Sequence, residues 1–152
     1  MACFIYNSNT VIPFKELQKN RLADNGYLPD RKIAQAFDLK ANNERFIVCL
    51  NHWKAKDNSY NKPDEYADTG DGQGSHVLRR VHEAEATLEF IKTVTAYFED
   101  EDVLIVGDLN SYSKEDPIRV LEEGELINEL QKYAPNEYSY AFLATIATQP
   151  VI

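Results

Sequence analysis

The stretch from residue 75 to residue 107 constrains the fold of this chain most. Ala84, Leu88, Ile91, Thr95 and Phe98 fall at helical spacing, on one face of an amphipathic helix, and Leu78 and Val81 extend the stripe. Glu99-Asp100-Glu101-Asp102 ends the period as a solvated acidic turn. Val103-Leu104-Ile105-Val106-Gly107 follows as a wholly apolar run, the pattern of a strand buried on both faces. A chain that changes period in this way needs a layered α/β arrangement, because helix and strand must each bury an apolar side.

The flanking segments add strands. Residues 2–6 read as a short strand ended by Asn7-Ser8-Asn9, and Val11-Ile12 resume it before Pro13. Residues 14–30 read as irregular, with turn signals at Asn25-Gly26 and Pro29-Asp30. Residues 31–39 alternate, with Ile33, Phe37 and Leu39 on one parity and Ala34 and Ala36 on the other. After the Asn42-Asn43 turn, residues 45–51 form a second apolar strand, so the pair predicts an antiparallel hairpin. Residues 54–74 are a long polar loop of the kind that is functional or mobile. Asp116-Pro117 marks a helix start with Asp116 as N-cap, Gly124 marks its stop, and Leu126, Leu130 and Tyr133 suggest a further helical stripe. Residues 138–142 read as a last strand. With no repeat and no linker, residues 1–152 form one unit.

Charge limits the function classes. The chain has 25 acidic and 16 basic residues, a formal net charge of −9. That opposes a protein that coats nucleic acid, since phosphate binding rests on Lys and Arg. It leaves room for an enzyme that meets phosphate through a local basic patch or a divalent metal. A hydrophobic fraction of 43% with nine Tyr and seven Phe excludes a disordered chain. No apolar run approaches the ~20 residues of a membrane span. Met1 to Tyr6 lack the basic and long apolar regions of a signal peptide. Cys49, inside an apolar run, reads as a small buried hydrophobe, and its pairing with Cys3 stays open.

Chemistry concentrates at two strand ends. Asp108 and Asn110, in Gly107-Asp108-Leu109-Asn110, project to the same side of an extended segment. A carboxylate there can take a proton or bind a hard cation, and an amide can orient a phosphate or a water. The plain alternative is a strand-end turn, which favours the same residues. Asn51-His52-Trp53-Lys54-Ala55-Lys56 closes the other apolar strand. His52 exchanges a proton near neutral pH, and Lys54 and Lys56 can hold a phosphate or stay solvated. Arg31 opens a strand with a guanidinium suited to bidentate phosphate contact, or is a surface charge. Arg79-Arg80 either faces solvent or holds the preceding loop.

Taken in order, these pieces resemble the endonuclease/exonuclease/phosphatase superfamily. The residues that carry the resemblance are Arg31, Asn51-His52-Trp53-Lys54-Ala55-Lys56, Gly72-Gln73-Gly74, Arg80 and Ala84, Gly107-Asp108-Leu109-Asn110-Ser111-Tyr112, and Glu115-Asp116-Pro117-Ile118. The pattern is most similar to a bacterial extracellular nuclease-like branch and runs from about residue 3 to residue 142. The resemblance implies a four-layered α/β/β/α sandwich with mixed, largely antiparallel sheets. It implies hydrolysis of a phosphodiester by attack of an activated water, with Mg²⁺ (or Mn²⁺ or Ca²⁺) as cofactor in the complete domain. It makes Asp108 the group that aligns or deprotonates water, Asn110 a donor to the scissile phosphate and His52 the proton donor to the leaving oxygen. Arg31, Asn51 and Lys54 become phosphate or substrate contacts, and Asp108 and Asn110 an incomplete metal site. The implied partner is nucleic acid or another phosphodiester, and the implied location is extracellular or periplasmic.

The chain also departs from the pattern. The superfamily needs an Asn and a metal-binding Glu ahead of the first strand, and an Asp-His pair after the aromatic strand. Here the histidines are His52, His76 and His82 only. The expectation is therefore a single incomplete domain over residues 1–152, inactive and without bound metal by itself, with open sheet edges that favour self-association. Two other readings use the same residues. One is a degenerate binding or scaffold domain of the same fold. The other is a calcium module built on Asp64, Glu65, Asp68 and Asp71 with Gly70 and Gly72.

Overall fold

Apolar residues on both parities of residues 32–39 require cover on both faces: the helix over residues 77–98 covers one, and the rings of Phe4 and Tyr6 lie against Phe37 on the other. In the computed structural model, which describes residues 3–20, 32–57 and 64–137, the elements run β1 (Val11–Lys19), β2 (Lys32–Leu39), β3 (Arg45–His52), α1 (Val77–Phe98), β4 (Val103–Asp108), α2 (Asp116–Glu123) and α3 (Glu129–Tyr133). The sheet order is β1-β2-β3-β4. β1 and β3 flank β2 antiparallel, and β4 joins β3 in parallel. The fold is α/β with a mixed sheet. The hairpin expected from residues 31–51 forms, with Ala34 opposite Cys49 and Ala36 opposite Ile47.

The parity of that register builds the core. Ala34, Ala36, Ile47 and Cys49 face α1 and pack on Phe90, Val94 and Phe98. The two alanines let the helix come close, and burial of each larger side chain contributes about 1.5–3 kcal/mol. The helical stripe expected at Ala84, Leu88, Ile91, Thr95 and Phe98 is turned by about one residue. The buried face is Arg80, Glu83, Ala84, Thr87, Phe90, Val94 and Phe98. Three polar residues on the core side disguise the stripe, and Leu88 belongs to a second cluster with Trp53, Ala84, Ile118 and Leu121. The helix thus serves two neighbours, the sheet and α2.

Several boundaries move, each for a physical reason. Residues 3–7 are not a strand; Phe4 and Tyr6 lay their rings against Phe37, with centroids 6.0 and 5.3 Å away. Residues 11–19, six of which fall in the stretch expected to be irregular, form β1. Pro13 is tolerated because β1 lies at the edge of the sheet, and a bulge lies between Phe14 and Gln18. The buried Gln35 amide fills the bulge by donating to Phe14 O at 3.0 Å. β4 is not buried on both faces: Leu104 is 51% and Val106 40% exposed. Asp116 is the first residue of α2 rather than its N-cap, since its N–H donates to Gln73 Oε1 at 2.8 Å and Glu115 takes the cap position. Gly124 ends α2 as expected, but through close approach: a Cβ there would stand 2.5 Å from Leu88 Cδ2. Leu130 and Tyr133 lie on α3, yet that helix buries no residue. The strand expected at residues 138–142 lies outside the described residues. No helix among the described residues is long and apolar enough to cross a membrane.

The cysteines are both free, Cys3 exposed and Cys49 buried. Burial pushes the Cys49 thiol up to about 12. Iodoacetamide at pH 8 is therefore expected to alkylate Cys3 within minutes and to reach Cys49 only with denaturant. Peptide mass mapping that finds both labelled at equal rates in the native protein would contradict this packing.

Candidate active site

The two chemistry-bearing strand ends come together because β3 and β4 are parallel and end together. His52 is the register partner of Asp108, and Asn51 of Gly107. The even-numbered pair points to the side away from α1, and both residues are exposed. The peptide continues the link, since Trp53 N–H donates to Asp108 O at 2.9 Å. Gly107, at φ +121, brings the strands this close; a Cβ on it would stand 2.0 Å from Asn51 O.

Beyond the strand the chain turns sharply. Asn110 takes a left-handed conformation, φ +49, which Asn tolerates better than most residues. Its N–H donates to Asp108 Oδ1 at 3.0 Å, and its side-chain amide donates to Trp53 O at 3.0 Å. The turn therefore fixes one oxygen of Asp108. The other makes no hydrogen bond among the described residues. The plain strand-end turn and the chemical reading coexist in one structure: the turn orients the carboxylate.

The remaining expected site residues are placed differently. Asn51 is 2% exposed; its amide donates to Cys49 O at 3.2 Å, and its oxygen accepts from Thr87 Oγ1 at 3.1 Å. It ties β3 to α1 beneath the corner. Lys54 gives its N–H to Glu83 Oε2 at 2.7 Å and its ammonium to Asp57 at 2.9 Å. Arg31 lies outside the described residues. Asp68 and Asp71 turn their Oδ1 atoms onto the N–H groups of Gly70 and Gln73, each at 2.9 Å. The calcium reading gains no support: among the described residues, no three His, Cys, Asp or Glu side chains gather as a metal site. The same holds for Mg²⁺. Asp108 offers one carboxylate, and the side-chain N–H₂ of Asn110 is engaged with Trp53 O, so the described residues do not fit a closed metal site.

Below the corner lies a network whose parts were legible only as motif fragments. Arg80 is fully buried. It donates to Gln73 O and Ser75 O at 2.8 Å each, and to Ser111 Oγ at 3.2 Å. Of its two candidate roles, it holds the preceding loop. Glu115 lies 3.9 Å from Arg80 and is paired with Lys56, whose ammonium sits 4.1 Å from the Tyr112 ring centroid. Burial lowers the Arg80 pKa, while Glu115 and Glu83 oppose that shift. Gln73 closes the network by donating to Asp116 Oδ2 at 2.8 Å. Glu83 escapes sequence reasoning because a helical Glu is ordinarily solvated; Gln73, Arg80 and Glu115 stand at motif positions, but nothing in the sequence joins them into one network.

No protein-family model matches the chain, and no curated protein matches it. Among solved structures, the human Nocturnin catalytic domain with bound sulfate anion overlaps with a TM-score of 0.49 at 18% identity. The match covers 74% of this chain and 35% of that one, so the chain spans about a third of that structure. An overlap at this level assigns neither family nor activity.

Proposed function

We propose that this chain carries the His52/Asp108 half of a phosphodiester-cleaving centre of the endonuclease/exonuclease/phosphatase type. The observation that supports it best is the register pairing of His52 with Asp108 at the ends of two parallel strands. Two motifs 56 residues apart in the chain thereby share one corner. Asp108, held by the Asn110 turn, receives a proton from water. His52, exposed beside it, gives one to the leaving oxygen. A divalent cation in the complete centre would stabilise charge on the phosphate; no step here depends on it, because the described residues supply a single carboxylate. The exposed apolar side chains of Leu104 and Val106 support the view that the domain continues as a two-sheet sandwich.

The test has two arms. A single-stranded oligonucleotide is expected to perturb the NMR signals of His52 and Asp108 first, and His52→Ala to weaken binding. Turnover of plasmid DNA with Mg²⁺ is expected to be absent for this chain and to appear when flanking sequence supplies an acidic metal ligand and an Asp-His pair. Mg²⁺-dependent cleavage by this chain, lost in Asp108→Ala, would overturn the half-site reading. The single carboxylate favours one second reading, a non-catalytic phosphate-binding domain of the same fold. Oligonucleotide binding with no turnover in the extended protein would establish it.

A further inference from the structure

One peptide group joins the two arms of the corner. The peptide between Trp53 and Lys54 accepts at its carbonyl from the Asn110 side-chain amide at 3.0 Å, and donates its N–H to Glu83 Oε2 at 2.7 Å. The C=O and N–H of a trans peptide point in opposite directions, so its plane is held from both sides. Asn110 in turn gives its backbone N–H to Asp108 Oδ1 at 3.0 Å. A continuous path therefore runs from Glu83 through the 53–54 peptide and Asn110 to the Asp108 carboxylate.

Glu83 is itself firmly held. It is 3% exposed and lies between Arg80 and Thr87 on one buried line of α1. Lys32 Nζ donates to its backbone O at 2.6 Å, and Arg79 Nε stands 3.8 Å from its Oε1. Along the same line Arg80 reaches Ser111 and Thr87 reaches Asn51. The polar stripe of α1 thus grips the chain on both sides of His52 and beyond Asp108. A buried carboxylate bonded to a peptide N–H makes a charge-assisted bond and polarises the peptide, so the carbonyl at its other end accepts more strongly.

We infer that Glu83 is a positioning residue for Asp108. It fixes the 53–54 peptide, which aims the Asn110 side chain, and Asn110 orients the carboxylate. This role takes its catalytic meaning from the His52/Asp108 reading above; the hydrogen-bond path does not depend on it. The competing role is a simple anchor, in which Glu83 fastens α1 to β3 and nothing passes beyond Lys54.

The test compares the full ¹³C,¹⁵N-labelled chain with Glu83→Met, which keeps the bulk but removes the acceptor, and Glu83→Gln, which keeps an acceptor oxygen. Glu83→Met is expected to move the Lys54 amide proton and the Asn110 side-chain amide protons upfield, and Glu83→Gln to restore most of both shifts. Binding of a single-stranded oligonucleotide should weaken about tenfold in Glu83→Met and less than about threefold in Glu83→Gln. Shifts that stop at Lys54 and leave Asn110 unmoved overturn the proposal, and so do equal shifts of Asn110 in both variants. If Asn110 responds as expected while the unsubstituted chain binds no oligonucleotide, the positioning path stands and the half-site reading falls. Should Glu83→Met fail to fold, the unsubstituted chain decides. A scalar coupling across the hydrogen bond from Lys54 ¹⁵N to the Glu83 carboxyl ¹³C is expected, and its absence where the β2–β3 ladder shows such couplings overturns the proposal.

Discussion

Gly107→Ala is expected to cost about 3–5 kcal/mol, a large share of the stability of a domain this size. Two penalties add. The residue holds φ +121, which L side chains rarely adopt, and its new Cβ would stand 2.0 Å from Asn51 O and 3.0 Å from Asn51 C. Neither contact is with a flexible side-chain end. Both are backbone, so relief requires β4 to move away from β3, and the parallel ladder through Asn51 and Gly107 opens. Urea unfolding followed by the emission of Trp53, the sole tryptophan and fully buried, gives the number. A loss below about 1 kcal/mol would show that the strands do not approach as described. The same substitution should separate His52 from Asp108 and so weaken any ligand that bridges them.

Arg80→Ala is expected to cost a similar amount, about 3–5 kcal/mol, because it removes one partner from a buried charged network. The guanidinium has no exposed surface and joins the 73–75 loop to Ser111. Its removal leaves two carbonyl oxygens without their donor and leaves Glu115 with Lys56 alone. Arg80→Lys should recover less than half of the loss, since an ammonium cannot reach three directions at once. Hydrogen exchange adds a local readout: amides of residues 73–76 should exchange faster in Arg80→Ala, while those of β2 follow global stability. Unchanged exchange there would mean that the loop holds itself.

The residues that declared themselves in the sequence did so through period and chemistry. The β2–β3 hairpin, α1, β4 and α2 all follow from apolar spacing and from Pro117 and Gly124. His52 and Asp108 are legible as polar residues that end apolar strands. Their meeting is not legible, because nothing local states that β4 lies parallel to β3 and in which register. The buried face of α1 is not legible in the sequence because Arg80, Glu83 and Thr87 occupy core positions that hydropathy assigns to solvent. β1 was hidden by Pro13 and by a bulge with Lys15 at φ +57.

The end of α1 shows the division most plainly. Its last turn contains no basic residue. Its final carbonyls are met instead by Lys15 Nζ, which donates to Tyr97 O at 2.7 Å, and by Arg45, which donates to Phe98 O at 3.2 Å. Both cations come from distant strands, and Asp38 and Glu99 complete the pairs. By itself the sequence determined which segments are helix and strand and which side chains carry chemistry, since period and residue type are local properties. The tertiary structure alone decided which of those side chains face each other and which polar groups are buried. Those outcomes depend on strand register and on partners many residues away, where hydrogen bonds and charges find their complements only once the chain is folded.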